Sequence, residues 1–211
     1  MNLSNLFLKA KHWQLFLLMF GIPILIQMVS MGSLVSQFSM TKDPDLSFMV
    51  NYFRIFPFIM VLFLGTFFGW FWSIAIGLKH KIPQDIKMKN TKFKIFFFIP
   101  LVYILLFVTL LGISMSSIVT GVNSGIQPDF VNIGLFISII FPLHFFSMFC
   151  IFYCLYFVAK TIRTIELQRE CSFSDFAGEF FLIWFYPIGI WIIQPRINKI
   201  AEEDIQTLDV V

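Results

Sequence analysis

Charge is scarce in this sequence. Charged residues make up 13% of the chain, about half of the quarter that is usual in soluble domains. None of the fifteen Lys and Arg residues falls between Ile95 and Ala159. So little polar material cannot cover a water-facing surface, and this excludes an ordinary soluble globular protein.

Cysteine is also rare, and its placement excludes two uses. Cys150 and Cys154 lie inside an apolar run, and Cys171 follows a charged segment. That distribution argues against a structural disulfide. Cys150 and Cys154 share a helix face, but they lack the His or carboxylate partners that a tetrahedral zinc site requires. We interpret all three as ordinary buried thiols.

Catalytic patterns are absent from the sequence. We find no clustered aspartates for metal-dependent transfer, no Gly-x-Ser-x-Gly, no Glu-x-x-His pair and no phosphate-binding glycine loop. Glu166 and Glu170 are interleaved with Lys160, Arg163 and Arg169, which is typical of a solvated, salt-bridged helix face. The sequence therefore predicts no enzyme, no cofactor and no metal site.

Long apolar runs are what the chain does have. Four of them cover about 13–38, 55–78, 95–120 and 131–158, and each exceeds the roughly 20 residues needed to cross a bilayer. The first is too long for a signal peptide and lacks a convincing cleavage site. We predict an all-α integral membrane protein, with residues 1–211 forming a single membrane domain.

The basic residues indicate an orientation. Two precede the first run, six lie between Lys79 and Lys94, and three closely follow the fourth run, whereas the other connections carry only Lys42 and Arg54. The remaining two cations, Arg196 and Lys199, belong to the tail. Lys and Arg accumulate on the cytoplasmic side of membrane proteins. We expect a multi-pass protein of the inner membrane with a cytoplasmic N-terminus. A net charge of +3 concentrated at these boundaries suits a lipid bilayer as partner, not nucleic acid.

The C-terminal apolar segment, 176–194, is barely long enough to span. Pro187 and Gly189 interrupt it, so we predict a re-entrant or interfacial element, with a fifth helix as the alternative. Ser172 or Ser174 suits the N-cap of this segment, since Asp175 and Glu179 follow in its first turns. Residues 195–211 are expected to form a polar tail.

Small residues recur every fourth position along the second run, which places them on one helix face. They are Gly65, Gly69, Ser73 and Gly77. A shorter set on the third run contains Gly112, Ser116 and Thr120. Small residues allow helices to approach closely. We expect these two faces to pack together within the subunit, and an interface with another copy or another membrane protein is the alternative.

Gln27 and His144 are strongly polar side chains well inside the apolar runs. Either could line a pathway, but an interhelical hydrogen bond is the commoner role for such residues. No Asp, Glu, Lys or Arg lies deep in the four runs, which disfavours an ion-coupled transporter.

These observations favour a non-enzymatic structural or accessory subunit of an inner-membrane assembly, whose partners are other membrane subunits or a second copy. The alternative is a small transporter or channel built from two parallel helical hairpins. A faint repeat supports the alternative, since Phe-Pro occurs at Phe56-Pro57 and again at Phe141-Pro142.

Overall fold

The computed structural model of the protein describes residues 3–40, 47–124 and 130–208. Within these ranges the chain is helical and contains no strand. The α-helices are α1 (Leu3–Lys9), α2 (His12–Phe16), α3 (Ile22–Met40), α4 (Ser47–Trp72), α5 (Asn90–Asn123), α6 (Phe130–Leu167), α7 (Phe173–Trp184) and α8 (Tyr186–Leu208). A π-helical turn, Leu17–Gly21, joins α2 to α3, and a second, Ser73–Gly77, extends α4.

Four helical stretches are long and apolar enough to cross a membrane. This confirms the four helices of membrane-spanning length that the apolar runs predict. In the described residues they are His12–Ser33, Ile55–Lys81, Asn90–Gly121 and Ile137–Leu167. We refer to them as spans one to four. Each reaches beyond the apolar run from which it was predicted at one end or both, because the helix continues into polar residues such as Lys160 and Arg163.

Consecutive spans are antiparallel. Span two ends, span three begins and span four ends at the same end of the molecule. Span two ends beside α1, where Gly77 faces Ser4 and Leu8. The same end holds the 79–94 segment and the last turns of α6, because the Gln168 amide donates to the Lys81 carbonyl at 3.3 Å. We call this the basic end of the molecule.

The core is concentrated toward the basic end. Trp70, Phe71, Phe93 and Phe176 are fully buried there, among side chains of α1, α4, α5, α6, α7 and α8. Toward the opposite end the spans lie in a row, in which α3 packs on α4, α4 on α5 and α5 on α6. Among the described residues α3 and α6 share no substantial contact.

The C-terminal apolar segment forms a helical hairpin. α7 packs on α6, and α8 returns along α7 to pack on α1 and α2. The chain leaves the helical conformation at Phe185 (φ −87°, ψ 54°). The turn therefore precedes the predicted break at Pro187 and Gly189. Pro187 instead lies in the first turn of α8, where a missing N–H removes no helical hydrogen bond. Residues 176–194 are two helices and not a continuous fifth span.

Gly189 makes this hairpin possible. A Cβ atom at Gly189 would stand 1.7 Å from the carbonyl oxygen of Leu182. No side chain fits at that distance, so the two helix backbones meet directly at the turn. Gly178, farther along α7, has open space within 4 Å among the described residues.

The segment expected to be a polar tail continues α8 through Leu208. Ile197 and Ile200 within it are buried against the core. They extend the stripe that begins with Ile190 and Ile193, at the three- and four-residue spacing of a helix face. The tail is therefore an amphipathic helix for most of its described length.

Candidate functional site

A buried hydrogen-bonded cluster joins α8 to span two and to α1. The indole Nε1–H of Trp70 donates to Gln194 Oε1 at 2.7 Å, and both residues are fully buried. The amide nitrogen of Gln194 donates to the carbonyl oxygens of Phe7 at 3.0 Å and Ala10 at 2.8 Å. Each polar atom of the Gln194 side chain is thus satisfied, as a buried amide requires.

Asn198 adds a second amide one helical turn later. Its Nδ2 donates to the carbonyls of Leu8 at 2.7 Å and Ala10 at 3.1 Å. The last carbonyls of a helix have no partner within that helix. Side chains of α8 therefore cap the end of α1, and this contact holds the N-terminal helix against the C-terminal one.

An ionic cluster lies on another face of α8, since Arg196 is two residues from each amide, and it joins α6, α7 and α8. Arg196 donates to both carboxylate oxygens of Glu166, at 2.8 and 2.6 Å, and to Glu179 at 2.8 Å. Arg163 reaches Glu166 at 3.0 Å. Glu179 is buried, so its charge depends on Arg196 for compensation. The hydrogen bond to Glu166 is the largest cause of a raised pKa at Arg196.

This cluster refines the interpretation of the charged segment that follows the fourth apolar run. Lys160 and Glu170 form an ion pair at 3.5 Å in which Glu170 is exposed. Glu166, in contrast, is drawn into the molecule by Arg196, which is 30 residues away in sequence. These contacts attach both helices of the hairpin to the last turn of α6, because Arg196 of α8 bonds to Glu179 of α7 and to Glu166 of α6.

The start of α7 is capped as expected at Ser172. The Asp175 carboxylate accepts the backbone N–H of Ser172 at 2.8 Å and its hydroxyl at 2.8 Å. Arg169 also donates to Asp175, at 2.8 Å. The Arg169 hydrogen bond, followed by those from Ser172, holds the pKa of the Asp175 carboxyl well below its ordinary value.

The small-residue face of span two packs on α1 and not on span three. A Cβ at Gly69 would lie 2.6 Å from the Phe7 ring, and one at Gly77 would lie 3.2 Å from Ser4. Ser73 is buried and donates to the Gly69 carbonyl at 2.7 Å. The sequence did not identify α1 as the partner of this face, because α1 has only seven residues and does not stand out as a packing helix.

The other small residues do not meet this face. No described atom lies within 4 Å of a Cβ built on Gly65 or Gly112. Thr120 is exposed, and the side chain of Ser116 lies outside the described residues. The predicted face thus divides at Gly69: toward the basic end it is covered by α1, and at Gly65 it is open.

The two polar residues of the apolar runs lie apart. His144 Nδ1 stands 3.4 Å from the Tyr103 hydroxyl, which links span four to span three at an exposed position. Gln27 is half-buried on α3. Since α3 and α6 stand at opposite ends of the row of spans in the described structure, the two polar groups do not share one site.

Comparisons of the chain with protein-family models, with curated proteins and with solved structures found no match. Among the described residues no three His, Cys, Asp or Glu side chains are grouped as a metal site would require. The candidate site is therefore defined by its own geometry, as a polar junction of Trp70, Gln194, Asn198, Arg196 and Glu166.

Sequence reasoning missed Gln194 and Asn198 altogether. One signal for them was present, because two amides four residues apart follow an apolar stretch and alternate with isoleucines. That pattern is typical of a buried helix face that carries hydrogen-bonding groups. The Gln194 oxygen accepts from the Trp70 side chain, but the amide nitrogens of both residues donate to backbone carbonyls more than 180 residues away.

Proposed function

We propose that this protein is a non-enzymatic, multi-pass subunit of an inner-membrane assembly, with its N-terminus and basic end in the cytoplasm. In this role the polar junction holds the subunit together at the basic end. The opposite half of the spans then serves as the surface for a transmembrane helix of another subunit or of a second copy.

The shape of the hairpin supports this division of roles. α7 has 12 residues, which at 1.5 Å per residue is about 18 Å. A bilayer core is about 30 Å thick. The hairpin lies between spans one and four, and its length is therefore little more than half of the thickness of the bilayer core. Its apolar tip, at Trp184, Phe185 and Ile188, is exposed.

The exposure of α6 beyond this tip carries the proposal. All six residues from Phe141 to Phe146 are exposed, with Phe141 at 63% and Phe145 at 57%. Successive helical residues are rotated by about 100°, so six of them point in every direction around the axis. Apart from the contact of His144 with Tyr103 of span three, most of the circumference of this part of α6 is therefore open. A neighbouring helix can pack against such a surface with closer and more specific van der Waals contacts than lipid tails provide.

The transporter alternative has less support. A pathway through the protein would need polar groups that converge, as do the sites of known transporter architectures. Gln27 and His144 lie on helices that make no substantial contact in the described structure, and for this reason we prefer the subunit proposal.

Site-specific photo-crosslinking tests the proposal in intact membranes. A photoreactive phenylalanine analogue at position 141 or 145 should give an adduct with one defined protein, either another subunit or a second copy. Phe98 is the matched control, because it is an exposed aromatic side chain near the basic end (49% exposed). Absence of protein adducts at 141 and 145, or equal yields at 98, would contradict the proposal.

The orientation has its own test. Reporter fusions at the two ends of the chain should both report the cytoplasm, because a hairpin that enters and leaves on one side adds no crossing. A C-terminal reporter that is active outside the cytoplasm would show that the C-terminal segment crosses the membrane.

A further inference from the structure

The lysines and arginines of the basic end have different roles. Three arginines, Arg163, Arg169 and Arg196, form ion pairs with carboxylates of the same chain. By contrast, no ion pair joins an acidic side chain to any of five exposed lysines in the described structure. These lysines are Lys79, Lys87, Lys89, Lys92 and Lys94.

The segment that carries these lysines is fixed to the core. Ile82 and Met88 pack against the core and Phe93 is fully buried. Backbone hydrogen bonds close it locally, from Ile86 N–H to the Pro83 carbonyl at 3.1 Å and from Phe93 N–H to the Lys89 carbonyl at 3.1 Å. Lys81 donates to the Ile200 carbonyl and ties the segment to α8.

Because the apolar side chains point inward, the lysines between them point outward. Lys87 and Lys89 flank Met88, and Lys92 and Lys94 flank Phe93. The five exposed lysines share this segment with one acidic residue, Asp85, so these six side chains carry a net formal charge of +4 (five minus one). Its backbone needs little further ordering to bind an anion, which favours affinity.

Trp72 places the same surface at the level of lipid headgroups. Trp72 is the last residue of α4, and the Lys94 ammonium stands 5.9 Å from the centroid of its ring. Tryptophan with an adjacent lysine is typical of the membrane–water interface. The lysines therefore extend from the edge of the apolar spans, where phosphates of the bilayer are concentrated.

We propose that Lys87, Lys89, Lys92 and Lys94 form a binding surface for the phosphate headgroup of an anionic phospholipid. The position at the interface favours a lipid over an acidic protein. This inference needs only that the four spans lie in a bilayer, so it does not depend on the proposed accessory function.

Native mass spectrometry of the detergent-purified chain tests this surface directly. With dioleoyl phosphatidylglycerol we expect retained lipid adducts, and with phosphatidylcholine we expect few. A variant combining Lys87→Gln, Lys89→Gln and Lys92→Gln should bind phosphatidylglycerol at least about tenfold more weakly, since each basic residue contributes to attraction by anionic headgroups. The same three positions changed to Arg should retain binding.

The matched control combines Lys9→Gln, Lys11→Gln and Lys199→Gln, which removes the same charge from exposed lysines elsewhere. It should stay within about twofold of the wild type. Equal losses in both variants would overturn the proposal in favour of net charge alone. Displacement of the lipid by equimolar inorganic phosphate, or binding of polyglutamate without phosphatidylglycerol, would overturn the lipid assignment. Unchanged circular dichroism would show that the variants fold.

Discussion

Trp70 and Gln194 form a hydrogen bond of 2.7 Å across 124 residues of sequence, and both are completely buried. The bond brings the last helix of the chain against span two. Through the same amide, α1 is attached by its own carbonyl oxygens. One side chain thus holds three segments that are far apart in the sequence.

Replacing Gln194 with Ala should lower the free energy of unfolding by about 2–4 kcal/mol, because it leaves the Trp70 N–H and the Phe7 carbonyl buried without partners. Equilibrium unfolding in detergent micelles measures the change. Gln84→Ala is the control, since Gln84 is exposed in the segment between spans two and three. Similar losses of unfolding free energy in the two variants would argue against a stabilising role of the buried hydrogen bonds of Gln194.

Replacing Arg196 with Gln should cost about 3 kcal/mol, because the buried Glu179 would lose its compensating charge. Arg196→Lys should recover only part of this, since an ammonium cannot make the two-pronged contact with Glu166. The thermal midpoint in detergent gives the ranking. Lys160→Gln should cost less than about 1 kcal/mol, because its partner Glu170 is 77% exposed. If Lys160→Gln proved as harmful as Arg196→Gln, the ionic cluster would not be the stabilising feature.

Gly69→Leu should destabilise the protein by about 1–3 kcal/mol, because the new side chain would occupy the position of the Phe7 ring. Gly65→Leu, one turn away on the same face, should be near neutral, since no described atom lies within 4 Å of its Cβ position. Adding Phe7→Ala should reduce the cost of Gly69→Leu, and thermal unfolding of the double variant measures this coupling. A large cost at Gly65 would instead indicate packing of that face against another helix.

Asp175 should give the helix cap a definite pH dependence. Its carboxyl pKa is lowered in the folded state by Arg169 and Ser172. Its stabilisation is therefore fully present above the ordinary value of about 3.9 and is lost as the pH falls through the lower folded value. The difference in thermal midpoint between wild type and Asp175→Asn should be largest near neutral pH and should shrink below about pH 4. Asp85→Asn is the control, and an equal pH dependence in both variants would assign the effect to overall charge.

The sequence predicted the four long apolar helices and the Ser172 cap because both are local signals. Hydropathy over 20 residues marks a helix that is long enough to span, and a serine followed by Asp175 marks a helix start. The small-residue face on span two was also visible. Its partner was not, because nothing in the sequence of α1 identifies the helix against which Gly69 packs.

The polar junction could not be predicted for a different reason. The amide nitrogens of Gln194 and Asn198 donate to backbone carbonyls, which every residue carries, so no side-chain type marks these partners. Gln194 also accepts from Trp70, but a tryptophan in an apolar run does not by itself indicate a buried amide. Arg196 was read as a cation of the tail, because charge patterning assigns residues to a side of the membrane and does not pair them. Pro187 was predicted to break the C-terminal helix, because proline disrupts a helix interior. It lies instead in the first turn of α8, where proline is well tolerated.

The capping of α1 by Gln194 and Asn198 has a consequence for synthesis. Ala10 and Gln194 are separated by 184 residues, which at about 5–20 residues per second is a delay of about 10–40 s. During that time the final carbonyls of α1 lack the side-chain donors that cap them in the folded structure. A nascent chain therefore carries an uncapped α1 until α8 has been made, and synthesis of α8 completes the attachment of α1.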